Sequence, residues 1–222
     1  MSQTVIYRNL IIETDTPLPT GENIEHLEAA LGRQLPDDYK NFLSHCNGGD
    51  MDYQINVQFP DGSSEFIGFS GLYSVTEGEW ETNPFELHQA RAHSEFPSVG
   101  VLPIAIDGGG SILYLDLRDS YKVVAFVHGL PAWTGLRQED SLIQVASSFD
   151  DYLSKLVICD EIAQYHIEHF EITPESVANT IQWLDSGNKD WRSKFSKLWN
   201  DRVKRLTGFA LKVERERRRR AI

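Results

Sequence analysis

An α+β fold is predicted from three features of the 222-residue sequence. Two short helical patterns lie near its start, strand-and-turn patterns fill its middle, and one more helix follows them. A further helical stretch closes the chain, so the α+β domain carries a C-terminal helical extension. The length suffices to bury a full core, and 41% hydrophobic with 24% charged residues is ordinary for a globular protein.

Residues 5–12 read as a single strand, ended by the Pro17-Leu18-Pro19 breaker. Ile24, Leu27 and Leu31 then recur at helical spacing, and Gly32 stands where a helix end favours positive φ. Pro36 suits the first turn of a second helix, with Asp37 and Asp38 at its positive end. Tyr39, Phe42, Leu43 and Cys46 form the apolar stripe of that helix, and Asn47-Gly48-Gly49 stops it. Residues 54–59 and 65–69 read as strands around a Pro60-Asp61-Gly62 turn. Asn83 and Pro84 have the form of an N-cap and first turn for a helix to about residue 93, ended by Pro97.

The stretch "PIAIDGGGSILYLDL", residues 103–117, sets three glycines between two apolar runs. A phosphate loop needs a helix after its glycines, so that N–H groups point at the anion. Here a strand-like run follows, with no Lys-Ser or Lys-Thr, and the reading is a β-hairpin. Residues 123–127 make a third strand beside it. Phe149, Tyr152, Leu153 and Leu156 form one face of a helix opened near Ser148, with room to continue through Cys159. Thr173-Pro174-Glu175 starts another helix with Val177, Ile181 and Leu184 on one face, ended by Gly187. Trp191, Phe195, Leu198, Trp199, Val203 and Leu206 predict a last amphipathic helix before the low-complexity "KVERERRRR".

The net charge is −12 and unevenly divided. Residues 1–188 hold 8 of the 21 basic side chains and 29 of the 33 acidic ones, and the last 34 residues hold the other 13 and 4. A body at −21 beside a tail at +9 argues against nucleic acid as partner and for a basic protein, or for solubility alone. No apolar run approaches the ~20 residues of a membrane span. The opening "MSQTVIYRNLIIETD" has no basic region ahead of an apolar core. The chain is therefore expected to be cytoplasmic and off the membrane, with Cys46 and Cys159 reduced.

Two passages resemble a known family. In "TGENIEHLEAALGRQLPDDYKNFLSHCNGGD" the forms I-x-x-L-E-x-x-L-G, L-P-x-D-Y-x-x-F-L and N-G-G follow one another. "VGVLPIAIDGGGSILYLDL" supplies a Pro-Ile run, an acidic residue, glycines and Tyr-Leu-Asp in the same order. Together with a helix of S-F-x-x-Y-L-x-x-L form at residues 148–156, they resemble the Smi/Knr domain of the SUKH superfamily over about residues 20–160. The resemblance implies a mixed, mostly antiparallel sheet wrapped by helices, and no shared catalytic chemistry. It also implies one of two roles: a bacterial immunity protein that silences a cognate toxin, often a nuclease, or a regulatory scaffold of the kind found in cell-wall synthesis. The division expected is residues 1–160 as this domain and 161–222 as the extension.

The residues themselves offer little chemistry. His166 and His169 share a helical face but lack a third ligand and the H-E-x-x-H arrangement, so no metal or other cofactor is expected. His45 and Cys46 are adjacent and point apart on a helix, which rules out a nucleophile–base pair. Asp107 and Asp116 flank the hairpin and are near enough in sequence to approach each other, and there is no G-x-S-x-G elbow. No enzymatic activity is expected. "VTEGEWETNPFE" instead sets Glu77, Glu79, Glu81 and Glu86 around Trp80, as an interface anchor with an acidic rim or as a core tryptophan among solvated acids. Asp50, Asp52, Asp61 and Glu65 join that negative field if their strands lie side by side. The expected partner is a cognate toxin with a basic surface. The basic tail is expected to dock on the acidic body, in the same chain or across a homodimer.

Overall fold

The computed structural model describes residues 3–76, 97, 99–118 and 121–204. They fall into two compact units that divide between Leu156 and Val157. The helix expected at residues 83–93 lies outside the described residues.

The first unit is built on an eight-stranded sheet of order β1-β2-β3-β6-β7-β8-β9-β10. The strands are β1 (Gln3–Tyr7), β2 (Leu10–Thr14), β3 (Gly49–Asp50), β6 (Gly71–Leu72), β7 (Val101–Ile106), β8 (Ile112–Asp116), β9 (Lys122–Val127) and β10 (Ser141–Ala146). β4 (Ile55–Gln58) and β5 (Ser64–Ile67) form a separate two-stranded hairpin. The expected mixed, mostly antiparallel sheet becomes, among the described residues, a set of ladders that are all antiparallel.

The single strand expected at residues 5–12 is a hairpin instead. Arg8 and Asn9, at φ 50° and 68°, turn the chain between Tyr7 and Leu10. A two-residue hairpin with a type I′ turn needs positive φ at both positions, and here it is made without glycine, so the usual sequence signal is missing.

Helix α1 (Gly21–Leu31) is closed at its start by a capping box between Thr20 and Asn23, and at its end by Gly32 in the left-handed region. Helix α2 (Asp37–Leu43) follows Pro36, and its Tyr39, Phe42 and Leu43 are buried together with Cys46. Helix α3 (Phe149–Lys155) is capped by Ser148 and packs on α2, β9 and β10. Phe149 meets Tyr39 edge-on, with ring centroids 4.9 Å apart, and lies 5.0 Å from Phe42. The backbone leaves the helix at Leu156 (ψ 133°), so α3 does not continue through Cys159.

The hairpin of β7 and β8 forms as expected, and all five residues of β8 are buried. Burial on both sheet faces explains its unbroken apolar run where a half-exposed strand would alternate. Ile112 and Tyr114 pack with Val124 and Phe126 on one face. Pro103 stays within β7 because the register shifts beside it, between Pro103 and Ala105, where the ladder is already interrupted. The strand β10 has no counterpart in the sequence reading; its "SLIQVA" is half-buried and alternates weakly.

The second unit has a small core of its own. Helices α4 (Asp160–His169), α5 (Pro174–Gly187) and α6 (Trp191–Lys194) bury Ala163, Ile167, Leu184 and Trp191. Thr173 and Ser176 form the capping box of α5. The long final helix expected from Trp191 is interrupted at Phe195 (φ −112°) and resumes over residues 196–204. Trp199 stacks on Phe170 and meets Trp191 edge-on, at centroid distances of 5.7 and 5.1 Å. Lys194 pairs with Asp160 and Arg192 with Asp185. Part of the apolar and basic surface expected to dock elsewhere is thus engaged inside this unit. Among the described residues no helix is long and apolar enough to cross a membrane.

Candidate functional site

The polar residues of the two sequence motifs are engaged in holding the fold. Glu28, 9% exposed on α1, accepts hydrogen bonds from the Leu35 N–H at 2.8 Å and from Lys40 Nζ at 2.6 Å. Burial is the largest influence on its carboxyl and pushes it up. Lys40, Leu35 and Gln34 together outweigh that and hold it below the ordinary glutamate value. Asp38 accepts the Asp150 N–H at 2.9 Å, at the start of α3. Asn47, fully buried, donates to the Pro17 carbonyl and the Thr76 hydroxyl and accepts the Val75 N–H. Gly49, at φ 118°, stands so close to β2 that a Cβ would lie 2.3 Å from the Glu13 carbonyl oxygen.

The glycine triplet turns the chain. Asp107 Oδ1 accepts the N–H groups of Gly109 and Ser111, at 2.8 and 2.7 Å. A carboxylate already sits where a phosphate would bind, and its charge would repel one. Asp116 lies at the other end of β8 from Asp107, so the two carboxylates do not approach each other. Arg118 grips both oxygens of Asp116, at 2.8 and 2.7 Å, and holds its carboxyl below the ordinary value.

The remaining candidates for chemistry are also placed. Cys46 is buried and donates to the Gly48 carbonyl, and burial pushes its thiol up to about 11. His166 Nε2 lies 3.1 Å from the Thr180 hydroxyl, while His169 Nδ1 lies 2.8 Å from the Tyr165 carbonyl. Among the described residues no group of three His, Cys, Asp or Glu stands where it could hold a metal ion.

A groove of about 600 Å³ opens at one end of the first unit. Three elements line it: Glu65 to Gly68 at the end of β5, Asp107 to Ser111 in the β7–β8 turn, and Val127 to Pro131 with Arg137 from the β9–β10 loop. Of the sequence-predicted residues, Glu65 lines it directly. Asp61 sits in the β4–β5 turn, where Ser63 first and Arg137 last among the lowering influences hold its carboxyl below the ordinary value. Asp50 and Asp52 are exposed, but β3 pairs with β2 and β6, whereas β4 pairs with β5; the strands carrying the four acids are not side by side. Glu77, Glu79, Trp80, Glu81 and Glu86 lie outside the described residues.

The β9–β10 loop was silent in the sequence, yet it holds the most exposed aromatic side chain among the described residues. Trp133 is 86% exposed, Leu136 62%, and Phe66 on the groove wall 49%. The loop's base is closed by Leu130 N–H to the Arg137 carbonyl and Arg137 Nη2 to the His128 carbonyl, at 2.6 and 2.7 Å. The Gly129 N–H donates to Asp140 Oδ1 at 2.9 Å. The Arg137 guanidinium also lies 4.3 Å from the centre of the Phe59 ring. A Trp-Thr-Gly turn shortly after Pro131, in "LPAWTGLRQED", is the faint local trace of this exposed loop.

Residues 18–155 match the SMI1/KNR4 family (SUKH-1). The chain belongs to that family. It is also similar to the SPbeta prophage-derived uncharacterized protein YokK of Bacillus subtilis (strain 168), with 24% identity covering 62% of this chain and 74% of that protein. The SMI1/KNR4 match ends at residue 155, one residue before the boundary between the two units. Both motif passages fall inside the matched span, and their polar residues hold its helices and turns in place.

Proposed function

We propose that this SMI1/KNR4 chain is a non-enzymatic, immunity-type protein that binds and neutralises a cognate toxin in the cytoplasm, a nuclease with a basic surface. One observation carries the reading. Glu28, Asp38 and Asn47 of the family motifs are engaged within the fold, while an aromatic, acid-rimmed end of the first unit leaves large apolar side chains exposed, as suits recognition. A nuclease presents a basic cleft to its substrate, and an acidic protein face attracts that cleft at long range and occludes it at contact. Membership in the SUKH-1 family supports an immunity-type or regulatory role.

The test is co-expression with the toxin domain encoded beside the gene of this chain. Restored growth together with a stoichiometric complex is the expected result. A locus without a toxin gene, or a toxin that still kills in the presence of the chain, overturns the reading in favour of a regulatory scaffold.

A further inference from the structure

We infer that the β9–β10 loop is the docking element of this protein, and that it drives Trp133 and Leu136 as an apolar wedge into a pocket on a basic protein partner. This rests on the binding role proposed above and assigns it a surface.

Exposure is the first ground. An indole left 86% exposed forgoes most of the free energy its burial would release, and tryptophan is the residue type that most often anchors interfaces. Leu136, on the same loop, is 62% exposed, and Phe66 adds a third apolar side chain on the groove wall. Ile6 and Val99 are comparably exposed, but they lie on β1 and just before β7, away from any groove-lining segment.

Rigidity is the second ground. The tip is tied by Thr134, whose N–H and hydroxyl both donate to the Pro131 carbonyl and whose hydroxyl accepts the Leu136 N–H. The base is closed by Arg137 and Asp140. A loop held in this way loses little conformational entropy when it docks, so more of the contact energy appears as affinity.

Charge selects the partner. Glu65, Asp107, Asp61, Glu139 and Asp140 surround the loop and groove, against Arg137, whose guanidinium is engaged by two backbone carbonyls and the Phe59 ring. A basic surface is attracted to that rim, and an acidic one is repelled. The adjacent groove of about 600 Å³ has room for side chains of the partner beside the wedge.

The experiment measures binding of the full chain to the catalytically silenced toxin domain encoded at the same locus, by surface kinetics at two salt concentrations. Trp133→Ala is expected to weaken binding about 30-fold or more, mainly through faster dissociation, and Leu136→Ala by about 5-fold or more. Glu65→Lys slows association, and its effect shrinks at high salt. Ile6→Ala, 57% exposed on another element, serves as the control and leaves binding unchanged. Hydrogen exchange is expected to show protection of residues 130–137 in the complex. Binding within twofold of wild type for both loop variants, with no protection there, overturns this surface and leaves the immunity reading standing. Failure of every variant and of wild type to bind overturns the immunity reading itself. A homodimer in sedimentation that Trp133→Ala dissolves assigns the wedge to a second copy and also overturns the inference.

Discussion

Lys40 Nζ on α2 lies 2.6 Å from the buried carboxylate of Glu28 on α1, which also accepts the Leu35 N–H. One side chain thus joins two helices and the loop between them. Replacing it leaves a buried N–H and a lysine without their partner, so Glu28→Ala is expected to destabilise the protein by about 1–3 kcal/mol. The sign with pH follows from the lowered carboxyl of the folded state. The unfolded chain takes up the proton first as pH falls, so the stabilisation is complete above the ordinary glutamate range and drains below it. Urea unfolding between about pH 7 and pH 3 is expected to show Glu28→Gln approaching wild type at the acid end. A gap that stays constant would remove the charge from this account.

Asn47 is expected to be among the most sensitive polar positions of the domain. Its amide joins the Pro17 segment to residues 75 and 76, and the Asn47 side chain is fully buried. Asn47→Ala leaves the Val75 N–H and the Pro17 carbonyl without their partners and is expected to cost about 2–4 kcal/mol in chemical denaturation. A loss below about 0.5 kcal/mol would show that water replaces the amide freely.

ATP, GTP and inorganic phosphate are expected to leave the melting temperature unchanged. A ligand that binds only the native state must raise it, and the N–H groups that would hold a phosphate already donate to Asp107. The same measurement on Asp107→Ala separates turn from site: the variant is expected to melt lower and still show no protection. Saturable protection of wild type by a nucleotide would restore the phosphate loop.

Gly129 is expected to tolerate no side chain. A Cβ there would stand 1.9 Å from the Gln138 carbonyl oxygen, which is backbone and cannot swing away. Gly129→Ala should open the base of the β9–β10 loop, speeding amide exchange over residues 129–138 while the sheet strands keep their protection. Unchanged exchange in the loop would mean that its two arms are not held together as the hydrogen bonds indicate.

Much of the fold could be read along the chain because its causes are local. Gly32 ends α1, the Tyr39–Phe42–Leu43 stripe buries α2, and Ser148 caps α3; each depends on spacing within one or two turns. The β7–β8 hairpin was legible for the same reason, since strand and turn are neighbours. The Arg8-Asn9 turn was not, because positive φ at two residues other than glycine leaves almost no compositional trace. β3 and β6, two residues each, have too few side chains to show a period, and only pairing with distant neighbours makes them strands.

By itself the sequence determined the family-like order of elements, the acidic body and basic tail, and the absence of any familiar catalytic spacing. Only the tertiary structure decided what the motif residues do and which surface is left over. The roles of Glu28 and Asn47 follow only from the fold, because a hydrogen bond across 7 to 30 residues has no signature in spacing. The exposure of Trp133 is the converse case. Composition predicts that an indole seeks cover, and only the arrangement of the surrounding loop leaves this one in water.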